Sequence, residues 1–221
     1  MTHERKQIVK QYLLLCEGRD AENFLIEYLN SKALESDPRF CNDIQVMDFG
    51  GNDELVNYLM NLKNMSGFDR VVSLGIIRDA EKDYKRACRD VIHSLEKSGF
   101  EPPLKHGEWN SNESGMKVGF ALFPLIDNMP GTLEDLCLRI LSEKNGENIL
   151  SRIDSFLATM QETYGRMYRR IHKNKLNTYL ASNDDYVAMP LGVASKAGAF
   201  DWCSKELEPL KKFLRDGFAK P

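Results

Sequence analysis

Apolar runs that end abruptly in charge set the pattern of the first half of the chain. Tyr12-Leu13-Leu14-Leu15-Cys16 gives way to Glu17-Gly18-Arg19-Asp20, and Val71-Val72-Ser73-Leu74-Gly75-Ile76-Ile77 gives way to Arg78-Asp79-Ala80-Glu81. Short runs of this kind read as strands buried on both faces. They predict strands over 5–16, 44–49 and 71–77, and a fourth over 117–123. Between them apolar positions recur at helical spacing: Phe24, Leu25, Tyr28 and Leu29 over 21–33, Leu55, Tyr58, Leu59 and Leu62 over 53–65, and Tyr84, Cys88, Val91, Ile92 and Leu95 over 82–98. Asp20 and Asn52 stand where helix caps belong. Three strand–helix repeats imply parallel pairing with right-handed crossovers. The polar stretches 35–38 and 101–114, the latter with Trp109, read as loops.

After Ser142 the pattern turns wholly helical, with amphipathic segments at 149–164 and 167–180, a loop at 184–198 and a closing helix at 200–213. The expected fold is α/β, a central, mainly parallel four-stranded sheet flanked by helices over 1–145. A helical C-terminal portion, 146–221, packs on that core within one compact domain.

Composition narrows the class. Of 221 residues, 42% are hydrophobic and 29% charged, ordinary for a globular protein. No apolar run approaches the ~20 residues that span a bilayer. The start, MTHERKQ, lacks the apolar centre of a secretory signal, so the expected location is cytoplasmic. Cys16, Cys41, Cys88, Cys137 and Cys203 have no CxxC spacing, and His3, His93, His106 and His172 form no motif. Buried thiols are therefore expected rather than a zinc site. A net charge of −3 argues against a chain that grips DNA by overall charge alone. Contact with nucleic acid would have to be local or supplied by a partner.

The chemistry-bearing residues stand at the predicted strand ends. In extended chain Asp79 and Glu81 point to the same side. The C-terminal ends of parallel strands are where open α/β sheets bind ligands. Two such acids repel unless a cation lies between them. Glu17 ends the first strand and joins them if the two strands are neighbours. A Glu at one strand end and an acid-x-acid pair at a later one resemble the Toprim domain of topoisomerases, primases and related nucleases. Gly50-Gly51 reads as a plain turn or as backbone that a phosphate can approach. Thr132 is a helix cap that puts Glu134 and Asp135 in a first turn, where acids favour the helix dipole. Asp135 has that role, while Glu134 has it or joins the metal site. Asp83 reads as a helix-start acid or a further contributor. Arg166, Arg169, Arg170 and Lys173 lie largely along one helical face and form the best nucleic-acid footprint in an otherwise acidic chain.

The resemblance extends to a family of small stand-alone Toprim-like proteins of uncharacterised function. Its pattern is matched here by Glu17-Gly18, Asp79-Ala80-Glu81, Pro124 with Asp127-Asn128, Gly131 to Asp135, Lys175 with Leu180-Ala181, Leu191-Gly192 and Phe200-Asp201, nearly the whole chain. Two departures stand out: Glu81 replaces the second Asp of the pair, and Leu125 and Ile126 separate Pro124 from Asp127. The resemblance implies kinship with nucleases fused to or encoded beside ATPases in phage-defence systems, with a partner ATPase to match. It implies Mg²⁺ or Mn²⁺ held by Glu17, Asp79, Glu81 and Glu134, since hard cations prefer oxygen. Glu17 is then a ligand or a general base, and Lys175, with Lys196 as runner-up, stabilises charge at the scissile phosphate. The expected activity is metal-dependent cleavage of DNA or RNA. The alternative is a regulatory module that binds a metal and nucleotide without turnover, and a primase-type nucleotidyl transferase ranks below both.

Overall fold

The computed structural model describes residues 7–35, 43–112, 115–145 and 147–219. Cys41, His3, the stretch 36–38 and the start of the first predicted strand lie outside the described residues. Strands β1 (Tyr12–Cys16), β2 (Ile44–Asp48), β3 (Ser73–Asp79), β4 (Trp109–Ser111) and β5 (Lys117–Phe123) form one sheet in the order β2-β1-β3-β5-β4. β1 pairs parallel with β2 and β3, β3 parallel with β5, and β4 antiparallel with β5. The helices are α1 (Arg19–Leu29), α2 (Lys32–Glu35), α3 (Leu55–Leu62), α4 (Tyr84–Lys97), α5 (Leu133–Asn145), α6 (Glu147–Tyr164), α7 (Ile171–Ala181), α8 (Leu191–Lys196) and α9 (Glu208–Phe218).

The sheet has five strands, not the four expected. β4 falls in the stretch read as a loop, because three residues with one large apolar side chain carry no periodicity. Trp109 fixes it in place. Its Nε1–H donates to the Phe213 carbonyl at 3.0 Å, and its ring stacks on Phe213 with centroids 4.7 Å apart. A Cβ on Gly119 or Gly217 would come within 2.4 or 1.9 Å of the indole, so glycines make room for it.

Alternate strand residues feed two cores, as the pleat requires. Tyr12, Leu14, Cys16, Ile77, Ala121 and Phe123 face one side, where α1, α5 and the C-terminal helices pack through Phe24, Leu136, Leu180 and Leu214. Leu13, Leu15, Leu74, Ile76, Val118 and Phe120 face the other, covered by α3 and α4 through Leu59, Val91 and Leu95. With α1 on one face and α3 on the other, the chain reverses its winding between β1 and β3. That pair is the topological switch point, where open sheets place ligands beyond the strand ends.

Other expectations shift at their edges. Residues 19–35 split into α1 and α2, and the closing helix spans Glu208–Phe218 instead of 200–213. The loop at 184–198 contains α8, which docks because Gly192 lets it approach α1. A Cβ there would meet Asn23 Nδ2 at 2.8 Å. Asp20 does not cap α1; Gly18 takes that position, and Asp20 accepts a hydrogen bond from the Gly192 N–H at 2.9 Å. No helix among the described residues is long and apolar enough to cross a membrane.

Candidate functional site

A cleft of about 1010 Å³ opens at the C-terminal ends of β1 and β3. Glu17, Asp79 and Glu81 line it together with Lys82, Arg169, Arg170 and Lys173. Glu17 follows β1 directly, its N–H donating to the Ile77 carbonyl at 3.2 Å, which brings it alongside Arg78. Asp79 is the last residue of β3, paired with Phe123 of β5. Its Oδ1 accepts the Leu133 N–H at 2.9 Å, so it also binds the N-terminus of α5. Orphan helix N–H groups and the dipole both favour a carboxylate there.

Glu81 reaches the cleft by a different route from the one predicted. β3 ends at Asp79, and Glu81 has φ 54°, so simple strand alternation does not orient it. Its backbone exchanges two 2.8 Å hydrogen bonds with Gly131, which pins the loop after β5 against the end of β3. A non-glycine residue held in the left-handed region is strained, and such strain concentrates at functional sites.

The electrostatics follow from this crowding. Burial pushes the Asp79 carboxyl up to about 8, with Glu134 and Glu17 adding to the rise and the Leu133 N–H opposing it. Burial also raises Glu17, against the pull of Arg78. Arg78 Nε stands 3.5 Å from Glu17 Oε2, and both atoms are buried without a hydrogen-bond partner. Burial alone would raise Glu134 as well, but hydrogen bonds from Lys173 and Thr132 outweigh it and the net shift is downward. Lys173 Nζ sits 2.9 Å from Glu134 Oε1. Burial works against the charge on Lys173, yet Glu134 wins and its pKa rises. Among the described residues no group of three or more His, Cys, Asp or Glu side chains is placed to hold a metal ion together. Two of the four carboxylates are already matched to basic side chains, Glu17 to Arg78 and Glu134 to Lys173.

Several predicted residues fall elsewhere. Lys175 is not at the acidic cleft: its Nζ pairs with Asp154 Oδ2 at 2.6 Å. The lysine against the acids is Lys173, two residues earlier on α7. Arg166, Arg169 and Arg170 do not share a helical face. They lie in the irregular connection 165–170 before α7, and Arg166 is exposed away from the cleft lining. Asp135 is a capping residue, its Oδ2 accepting from the Thr132 N–H at 2.8 Å, and Asp83 caps α4 through the Arg86 N–H at 3.0 Å. The Gly50 N–H is not presented to a phosphate. Asp48 Oδ1 takes it at 2.7 Å along with the Gly18 N–H at 2.9 Å. Arg78 escaped the sequence reading, although a lone arginine inside a strand buried on both faces is itself a signal, because a buried cation demands a partner.

Fold and site together define an α/β protein with a cleft at the switch point of its mainly parallel sheet, lined by carboxylates and by basic side chains. The chain belongs to the DUF3226 family, described as a protein of unknown function, whose model matches residues 11–219. No curated protein and no solved structure matches it.

Proposed function

We propose that this chain is a Toprim-like, metal-dependent phosphodiesterase that acts on nucleic acid. The observation that carries the reading is Asp79, a carboxyl raised to about 8 by burial and by the carboxylates of Glu134 and Glu17. A protein that keeps such repulsion at a strand-end cleft is arranged for a missing positive charge. The donor set is all carboxylate oxygen, the type a hard divalent cation prefers, but Glu17 Oε2 faces Arg78 Nε at 3.5 Å and, among the described residues, no three of these groups are placed together around one ion. Glu17, Asp79 and Glu81 would have to draw together to hold Mg²⁺ or Mn²⁺, with Glu134 joining when Lys173 turns to substrate. Bound there, the ion would supply a more acidic water and neutralise charge developing on the phosphate.

The chain's own residues do the rest. Arg169, Arg170 and the N-terminus of α7 bind the phosphate backbone. Lys173 moves its ammonium from Glu134 to the phosphate and stabilises the transition state there. Glu17, where it does not ligate the ion, accepts the proton of the attacking water as the water oxygen bonds to phosphorus and the bond to the leaving sugar oxygen breaks, that oxygen taking a proton from solvent. The substrate is DNA or RNA, and the family resemblance adds a partner ATPase.

The existing pairs of Glu17 with Arg78 and Glu134 with Lys173 favour a second reading, a regulatory module that binds metal and nucleotide without turnover. Incubation with Mn²⁺ and labelled DNA and RNA, alongside calorimetry, separates the two. The phosphodiesterase reading expects cleavage that Asp79→Asn abolishes. Mn²⁺ and nucleotide binding without product, with or without an ATPase, sinks it in favour of the second.

A further inference from the structure

A second cavity, about 610 Å³, opens beside the acidic cleft between α5, α6 and α7. The two share Pro130, Asp135, Ile171 and His172 as walls, so whatever lies in one borders the other. Its size falls within the range of small-molecule sites. Its apolar surface comes from Leu138 and Leu150 inside and from Met129 and Ile171, 44% and 43% exposed, at the rim. Large apolar side chains left open around a concave site mark a surface that a ligand covers. Seven of the thirteen lining residues are polar or charged, Arg139, Asp154, His172 and Lys175 among them. Lys175 and Asp154, paired at 2.6 Å, set a donor and an acceptor side by side on the wall.

We propose that this cavity receives one unpaired nucleobase of the substrate, next to the phosphate held by Arg169, Arg170 and Lys173. The proposal rests on the phosphodiesterase reading and names its substrate class: a single strand, or a strand with a splayed base. A base has an apolar face for Leu138 and Ile171 and an edge carrying both donors and acceptors for Lys175 and Asp154. Stacked bases in a duplex present neither face to a concave site, so duplex is excluded unless it opens. Lys175 thereby acquires a role at the base edge instead of at the scissile phosphate.

The test uses the full chain carrying Asp79→Asn, so that substrate is held and not consumed. The probe is a short single-stranded DNA containing 2-aminopurine, compared with its duplex and with the same backbone made abasic. Ser142, half-buried on the cavity wall, is replaced by Trp to fill the space and by Ala as control. Ser151→Trp fills the cavity from an exposed position on α6 should Ser142→Trp fail to fold. The expected result is tighter binding of the single strand than of the duplex or abasic strand. A cavity-filling Trp should weaken the single strand about tenfold, and Ser142→Ala should leave it unchanged. Equal binding of all three strands, or indifference to the filling Trp, overturns the proposal. In the otherwise unaltered chain, cleavage of the abasic strand reports on the phosphodiesterase reading separately. Cleavage there together with indifference to the Trp rejects the base site alone. Absence of cleavage with Trp-sensitive binding keeps the base site and rejects the nuclease.

Discussion

Two clusters of titratable groups flank the same sheet, and they differ in whether their members satisfy one another. On the β5 side, Tyr84, Cys88, His106 and Asp127 gather in what looks like a nucleophile with a base. Yet His106 Nδ1 is occupied by the Leu122 N–H at 2.8 Å, so that lone pair is not free to take a proton from Cys88. The imidazole packs edge-on against Tyr84 with centroids 5.8 Å apart, and its Nε2 stands 3.8 Å from Asp127, which is 77% exposed. Burial keeps His106 neutral and raises the Cys88 thiol. A thiol held protonated is a poor nucleophile. Every shift there makes the charged form scarcer, which is what a structural cluster needs. At the acidic cleft the same desolvation acts on carboxylates that also repel one another, with basic side chains lining the same cleft. Proximity of reactive residue types does not separate the two. The direction in which each group's remaining lone pair or charge is spent does.

The largest effect distinguishing them belongs to Asp79. Asp79→Asn should reduce metal-dependent cleavage on the order of 10³-fold, because several kcal/mol of transition-state stabilisation depend on the ligand. The same substitution should stabilise the fold at alkaline pH. Asp79 binds its proton more tightly folded than unfolded, so its favourable contribution is complete below the unfolded value near 3.8 and is lost as pH rises through about 8. Asparagine keeps the acceptor for the Leu133 N–H without the charge. Thermal melts at pH 5 and pH 9 should show Asp79→Asn gaining on the unmodified chain at the higher pH, by about 2 kcal/mol. Added Mn²⁺ should raise the melting point of the unmodified chain more as pH rises, and the variant's little. A variant less stable than the unmodified chain at both pH values would place Asp79 among ordinary structural carboxylates.

At the other cluster the effect is on stability alone. His106→Ala leaves the Leu122 N–H without its acceptor and opens a gap beside Tyr84, costing about 2–3 kcal/mol with cleavage unchanged. The pH dependence runs opposite to that of Asp79. The folded pKa of His106 is lowered, so its contribution is complete above the unfolded value of 6.5 and declines as pH falls through the folded one. His106→Ala should flatten the loss of stability between neutral and mildly acidic pH in denaturant titrations. A drop in cleavage greater than the drop in folded fraction would contradict the structural assignment.

The contrast also marks what the chain made legible. Glu17 and Asp79 could be placed at strand ends because strands buried on both faces announce themselves as unbroken apolar runs, and charge ends them, whereas Glu81 lies two residues past β3 in a left-handed turn. β5 matches its predicted bounds for the same reason. What failed was whatever depends on contacts distant in sequence. β4 is held by Trp109 against α9 and by glycines as far off as Gly217, none of which leaves a periodic trace. The choice between Lys173 and Lys175 turns on where α7 begins, since two residues on a helix rotate a side chain by more than half a turn. The sequence pattern started that helix at 167, four residues early, which also put Arg166, Arg169 and Arg170 on a face they do not share. Gly50 is the local exception: Asp48, two residues back, takes its N–H, an Asx-type turn in keeping with the plain-turn reading.

The smallest effect should come from Lys173, and it tests whether the basic side chains serve the acids or the substrate. Its side chain is 42% exposed, so solvent screens its pairing with Glu134 and the stability cost of removal is small, below about 1 kcal/mol. Lys173→Met keeps the apolar stem and removes the charge. Freed of its competitor, Glu134 becomes available to a cation, and Mn²⁺ affinity measured by calorimetry should rise severalfold. Binding of nucleic acid should weaken and its dependence on salt should become shallower, since one fewer phosphate contact releases one fewer counterion. Cleavage should fall about tenfold while metal binding improves. A simple structural ion pair would not produce that divergence: it would lower stability, metal affinity and cleavage together. If Lys173→Met weakens Mn²⁺ binding, the ammonium is holding Glu134 in place for the metal, and the idea that Lys173 leaves Glu134 for the phosphate is wrong.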